Sequence, residues 1–167
     1  MKNLIKGDNM NVIFLDYDGV VNTPMWDKDG KRCTYAFPSN NKVNNFQAVQ
    51  WVSEFCQKFN YSIVVSSSWR THKNYKECLV NGGLREGIEI LGCTPSLDSG
   101  CRGDEIQQYL SAHPEITNFI ILDDDTDMGD LSNHLIECYR DAGFNLSEFI
   151  QAEKLHNKLQ KERGNES

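Results

Sequence analysis

Apolar residues in this chain gather in short, dense runs, separated by stretches whose period is longer. The runs Val12-Ile13-Phe14-Leu15 and Phe119-Ile120-Ile121-Leu122 contain no polar alternation. Strands of that type are covered on both faces, as in a parallel sheet. They predict strands over about 11–17 and 118–122. Residues 61–65, with a β-branched centre, predict another, and 87–93 include a short one. Between these runs the period changes. Val43, Phe46, Val49, Val52, Cys56 and Phe59 recur at helical spacing and predict a helix over about 42–58. The asparagines ahead of it are equivalent candidates for its cap. Further helices are predicted over 73–80, stopped by Gly82-Gly83, over 104–111, where Ile106 and Leu110 share a face, and over 146–160, where Phe149, Leu155 and Leu159 turn inward. The segment 134–139 suits either a helix or a short strand closing the sheet. Strand and helix alternate along the chain, which predicts an α/β fold: a three-layer α/β/α sandwich around a mainly parallel, Rossmann-like sheet.

A length of 167 residues suits one domain over 1–167 with a sizeable core. The stretch 22–41, rich in Asp, Lys, Gly, Pro and Asn, predicts a loop or small hairpin inserted after the first strand. Residues from about 161 to 167 predict a flexible tail. No apolar stretch is long enough for a membrane helix, and the amino terminus lacks the apolar segment of a secretory signal. Six cysteines occur without a C-x-x-C pair. Scattered thiols suit a reducing cytoplasm better than a disulfide or zinc framework. The formal charge of −7 argues against a broad DNA-binding surface, yet a few local basic residues suffice to hold a terminal phosphate.

Chemistry concentrates where the apolar runs end. The first leads into Asp16-Tyr17-Asp18-Gly19 and the last into Asp123-Asp124-Asp125. In a parallel sheet the carboxyl ends of the strands form the ligand crevice, so folding would bring these like charges together. Mg²⁺, a hard cation that seeks oxygen ligands and works beside phosphates, would relieve the repulsion. Asp16 is the candidate nucleophile and Asp18 the candidate general acid and base. Asp16, the Asp18 backbone carbonyl, Asp123 and Asp124 are the candidate metal ligands, with Asp127 an alternative outer ligand. Ser66 ends a hydrophobic strand, where its hydroxyl and neighbouring amides can bind a phosphate oxygen; Ser67 is a weaker candidate for the same role. Arg70 can meet either a substrate phosphate or a carboxylate at the core edge. Arg102, ahead of a predicted helix, is the best phosphate clamp. No Walker-type phosphate loop is present. The bland alternatives are an acidic turn, a serine-rich strand exit and an acidic helix start.

In order and position, these motifs resemble the haloacid dehalogenase-like phosphatase superfamily. The resemblance rests on Asp16-Tyr17-Asp18-Gly19-Val20, on Ser66 at a strand end, on Arg102 as the basic residue and on the Asp123-Asp124 pair. More closely, Val64-Val65-Ser66-Ser67-Ser68-Trp69-Arg70, Arg102-Gly103-Asp104-Glu105-Ile106 and Ile121-Leu122-Asp123-Asp124-Asp125 look like the small phosphatase-type domains of RNA-repair proteins. The resemblance implies an Mg²⁺-dependent phosphomonoester hydrolase with an aspartyl-phosphate intermediate, acting on nucleotides or the terminal phosphates of nucleic acid. It also implies a strand within 134–139. The room between motifs excludes a large cap, which leaves a cleft open to bulky substrates. A phosphate- or nucleic-acid-binding module without turnover, and a phosphotransferase to an acceptor other than water, are the competing functions.

Overall fold

The computed structural model describes residues 9–25, 28–31 and 41–165. Its elements, in chain order, are β1 (Met10–Leu15), α1 (Phe46–Phe59), β2 (Tyr61–Val65), a 3-10 turn (Ser68–Thr71), α2 (Tyr75–Asn81), β3 (Ile90–Cys93), α3 (Arg102–Ala112), β4 (Ile116–Asp123), a second 3-10 turn (Gly129–His134), β5 (Leu135–Glu137) and α4 (Leu146–Asn165). The five strands form one sheet in the order β3-β2-β1-β4-β5, with every pairing parallel. The ambiguous segment 134–139 therefore holds a strand. Its short pairing of Ile121, Leu122 and Asp123 with Leu135, Ile136 and Glu137 is a long-range fact that local propensity does not carry.

Uninterrupted apolar strands are explained by what lies on each face. Ile13, Leu15, Ile63, Val65, Ile120 and Leu122 pack with Val49, Val52 and Phe55 of α1, Leu79 of α2 and Phe149 and Ala152 of α4. Val12, Phe14, Val64 and Ile121 pack on the other side with Ile106 of α3 and with Met128. Full burial of one such aliphatic side chain contributes roughly 1.5–3 kcal/mol relative to exposure, so both layers are needed to hold the sheet. Phe14, at 0% exposure, meets Tyr109 and Phe119 edge-on at 5.8 Å each.

Several boundaries differ from expectation, each for a local reason. β1 stops at Leu15, two residues early, because the chain turns at once. The amides of Val20, Val21 and Asn22 all donate to the carbonyl of Tyr17. α1 starts at Phe46, four residues late, where Asn45 caps it by accepting from the Ala48 amide at 3.0 Å. Val43 is buried ahead of the helix and donates its amide to the Cys78 carbonyl, while Phe46 is 61% exposed. α4 continues to Asn165, so 161–165 form helix rather than the expected tail; 166–167 lie outside the described residues. Of the expected loop or hairpin over 22–41, residues 26–27 and 32–40 also lie outside them. Between β2 and β3 the chain holds only the 3-10 turn and α2, in keeping with the expected lack of a large cap there. No helix among the described residues is long and apolar enough to cross a membrane.

Candidate active site

β1 pairs with β2 on one side and with β4 on the other, while the β3-to-β4 connection through α3 crosses to the far side of β1. Strand order thus reverses at β1, and the crevice at such a reversal is where open α/β sheets bind ligands. Register decides which residues reach it. Leu15 pairs with both Val65 and Leu122, and Val65 with Cys93. The next residue on each strand forms one row across the sheet end: Thr94, Ser66, Asp16 and Asp123. Backbone bonds extend the ladder through this row, from Ser66 N to Leu15 O at 2.9 Å, Asp16 N to Leu122 O at 3.0 Å and Thr94 N to Val65 O at 3.0 Å.

Asp16, Asp123 and Asp124 each place a carboxylate oxygen within 4.8 Å of the others. Asp16 is 5% exposed and Asp123 fully buried. Burial pushes the Asp16 carboxyl up, against the opposing pull of Arg102 and a hydrogen bond from Ser67. Burial also pushes Asp123 up, and the charge of Asp16 pushes it further. Arg102, the first residue of α3, approaches both: Nη1 lies 3.6 Å from Asp16 Oδ1, and Nε lies 3.5 Å from Asp123 Oδ2. Burial alone would lower its pKa, but the surrounding carboxylates, Asp16 and Asp123 foremost, raise it. Contact at these distances is electrostatic rather than hydrogen-bonded. Arg102 Nη1 and Asp123 Oδ2 are both buried without a hydrogen-bond partner, as is Ser66 Oγ.

Buried polar atoms are normally satisfied, because an unmade hydrogen bond costs about 1–3 kcal/mol. Here an orphaned arginine nitrogen at the start of α3 faces a strand-end row that holds orphaned oxygens, which suits a cation and an anion bound together. The carboxylate set also matches the oxygen preference of Mg²⁺. The group therefore fits a divalent ion.

Not every expected residue joins it. The Asp18 carboxylate is not one of the three grouped acids; it accepts from Asn22 Nδ2 at 2.7 Å and from Trp69 Nε1 at 3.0 Å. Ser67 is buried, donates to Asp16 and accepts the Trp69 amide. Arg70, expected to meet either phosphate or carboxylate, is committed to the carboxylate. Its Nη2 pairs with Glu105 at 2.7 Å and its Nη1 donates to the Ser66 and Ser67 carbonyls. Asp127 stands outside the acidic group and caps α3, accepting the Arg102 amide at 3.0 Å through its side chain and that of Gly103 through its carbonyl.

Residues without an advance signal also appear. Arg140, after β5, is ion-paired with Asp124. Thr94 falls in the strand-end row with its hydroxyl buried and unpartnered. No local motif marks either one; only the register of β3 and the pairing of β5 bring them in. Gly19 was visible as part of its motif, and the geometry explains it: φ is +81°, and a Cβ there would overlap the Asp124 side chain.

A family model described as the HAD domain in Swiss Army Knife RNA repair proteins matches residues 12–149. That span runs from β1 into α4 and contains every residue of the strand-end row. No curated protein matches the chain.

Proposed function

Because the chain belongs to this family of HAD domains in RNA-repair proteins, we propose that it is an Mg²⁺-dependent phosphomonoesterase acting on the terminal phosphate of a nucleotide or nucleic acid. The observation that carries the reading is the convergence of three carboxylates within 4.8 Å beside a partly buried arginine whose buried Nη1 lacks a hydrogen bond. A structural ion pair would close those contacts.

In the proposed reaction, an Asp16 oxygen bonds to phosphorus as the bond to the leaving oxygen breaks. The released electron pair stays on that oxygen, which takes the proton carried by Asp18. Water then attacks the aspartyl-phosphate and gives its proton to Asp18. The phosphorus–Asp16 bond breaks, which frees phosphate and restores the carboxylate. Ser66 Oγ and Arg102 Nη1, both without a hydrogen-bond partner, are the donors for the nonbridging oxygens, and Ser67 keeps the attacking carboxylate oriented. Mg²⁺ held by Asp16, Asp123, Asp124 and the Asp18 carbonyl would supply positive charge opposite the phosphoryl oxygens. Arg140 holds Asp124 in place from the outer side.

A panel of 5′-nucleotides, 3′-phosphorylated oligoribonucleotides, sugar phosphates and phosphopeptides, assayed with Mg²⁺ for phosphate release, tests the reading. The expected result is a preference for nucleotides or polynucleotide ends, loss on chelation, and a loss of about 10⁴-fold or more in Asp16→Asn. Turnover retained by purified Asp16→Asn would remove the nucleophile. Equal rates across all classes would remove the substrate assignment.

A further inference from the structure

Asp18 lies outside the acidic group, and both of its carboxylate oxygens are held. Oδ1 accepts from Asn22 Nδ2 at 2.7 Å, and Oδ2 accepts from the indole Nε1 of Trp69 at 3.0 Å. We propose that Trp69, with Asn22, is a positioning residue that aims the Asp18 carboxyl at the leaving oxygen. This inference rests on the phosphatase reading above.

Both donors are themselves immobilised. Asn22 is fully buried; its amide donates to the Tyr17 carbonyl at 2.7 Å, and its own carbonyl accepts from Gly19 at 2.7 Å. Its side-chain oxygen is taken by the Asn44 amide at 3.2 Å. That bond determines the amide orientation and leaves the NH₂ group for Asp18. Trp69 is 3% exposed, packed edge-on against Tyr17 with ring centroids 5.4 Å apart. Tyr17 is anchored in turn by its hydroxyl, which donates to the Tyr75 carbonyl at 2.7 Å.

The chemistry of the donors matters. Indole N–H only donates, so Trp69 can hold an Asp18 oxygen but can neither take nor supply the catalytic proton. Each carboxylate oxygen has two lone-pair directions, and one donor on each leaves one free. The second direction is where the proton rides before it passes to the leaving group. Asp18 is only partly buried, and without these bonds its carboxylate would rotate towards water. General acid catalysis contributes about 10²- to 10⁴-fold and depends on hydrogen-bond reach to the proton acceptor. A misplacement of about 1 Å can by itself cost on the order of 100-fold.

Leaving groups separate positioning from mere packing. A phenolate with electron-withdrawing substituents departs without a proton, whereas an alkoxide does not. The quantity kcat/KM covers steps up to phosphoenzyme formation, so it reports that departure. With Mg²⁺ present, the ratio of kcat/KM for p-nitrophenyl phosphate to that for an alkyl phosphate is expected to rise about tenfold or more in Trp69→Phe. Should that variant not fold, Asn22→Ala provides the same measurement. A structural role would lower both substrates together, and an unchanged ratio in a folded variant overturns the proposal.

An independent readout needs neither metal nor turnover. The chain has three tryptophans, whose indole N–H signals appear in a nitrogen–proton NMR spectrum. The signal that survives both Trp26→Phe and Trp51→Phe is that of Trp69. It is expected to move in metal-free Asp18→Asn, and a stationary signal overturns the proposal. Asp18→Asn also serves as the control for the reading beneath. If its aryl-to-alkyl ratio does not rise, Asp18 is not the acid and both ideas fall. A ratio that rises in Asp18→Asn but not in Trp69→Phe overturns the positioning role alone.

Discussion

Arg70 and Arg102 are both largely buried near the sheet's carboxyl edge and both face carboxylates, yet they are built oppositely. Arg70 closes on Glu105 at 2.7 Å and spends a second nitrogen on two backbone carbonyls. Arg102 stays 3.5–3.6 Å from Asp16 and Asp123, with Nη1 lacking a hydrogen bond. The first arrangement is a completed ion pair that ties the turn after β2 to α3. The second leaves donor and acceptors of opposite sign close but unjoined, a state that folding alone would not favour. A ligand with both an anionic and a cationic part would complete it. Both arginines keep one buried nitrogen without a hydrogen-bond partner, Nε in Arg70 and Nη1 in Arg102; what separates them is that Arg70 makes a hydrogen bond to its carboxylate and Arg102 does not.

The largest effect expected from this contrast is on stability. Glu105→Ala leaves the Arg70 guanidinium buried without its partner, which costs about 3–5 kcal/mol. A chemical denaturation series would measure it, and turnover per folded molecule should be little changed. A loss below about 1 kcal/mol would mean that the pair is not the tie inferred here. Next comes Arg102→Met, expected to lower turnover by about 10²- to 10³-fold, as removal of a transition-state donor does, while the folded fraction with Mg²⁺ holds. A variant that keeps its rate would place Arg102 with Arg70 as structural.

Metal binding gives a third test. Mg²⁺ at 100 times its dissociation constant should stabilise the folded chain by about 2.7 kcal/mol through mass action, read as a rise in Tm. Asp123→Asn should raise the Tm of the chelated protein, because burial first and then the Asp16 charge disfavour the ionised Asp123, and should erase the Mg²⁺ increment. An equal increment in wild type and variant would exclude Asp123 as a ligand. The smallest effect belongs to Arg85 and Glu54, a pair also 2.7 Å apart but with side chains 38% and 47% exposed. Solvent screens such pairs, so Glu54→Ala should cost less than about 1 kcal/mol. A loss matching that of Glu105→Ala would show that burial is not what separates the pairs.

Much of the site could be read along the chain because its acids sit one residue past apolar runs. An apolar run followed at once by Asp marks a strand end, and strand ends in a parallel sheet gather at one edge. Asp16 and Asp123 come together on that logic alone, and Ser66 joins them because it too follows an apolar run. The roles of Asp127 and Arg70 could not be read in the same way. Asp127 lies four residues past Asp123 and caps a helix that begins 25 residues earlier in the chain. The choice of Arg70 between phosphate and carboxylate depended on Glu105, 35 positions away.

Periodicity and strand-end acids by themselves determined the fold class, the existence of most elements and the acidic heart of the site. These are properties of neighbours within one or two turns or a single strand, where steric and solvation preferences act directly. Tertiary structure alone decided that 134–139 adds a strand, that Arg70 is spent on Glu105, and that Thr94 and Arg140 border the site. It also decided that Asp18 is gripped by Trp69 and Asn22. Each of those outcomes depends on register or on a hydrogen bond that the folded backbone must first bring within about 3 Å, and no local pattern of residues encodes that distance.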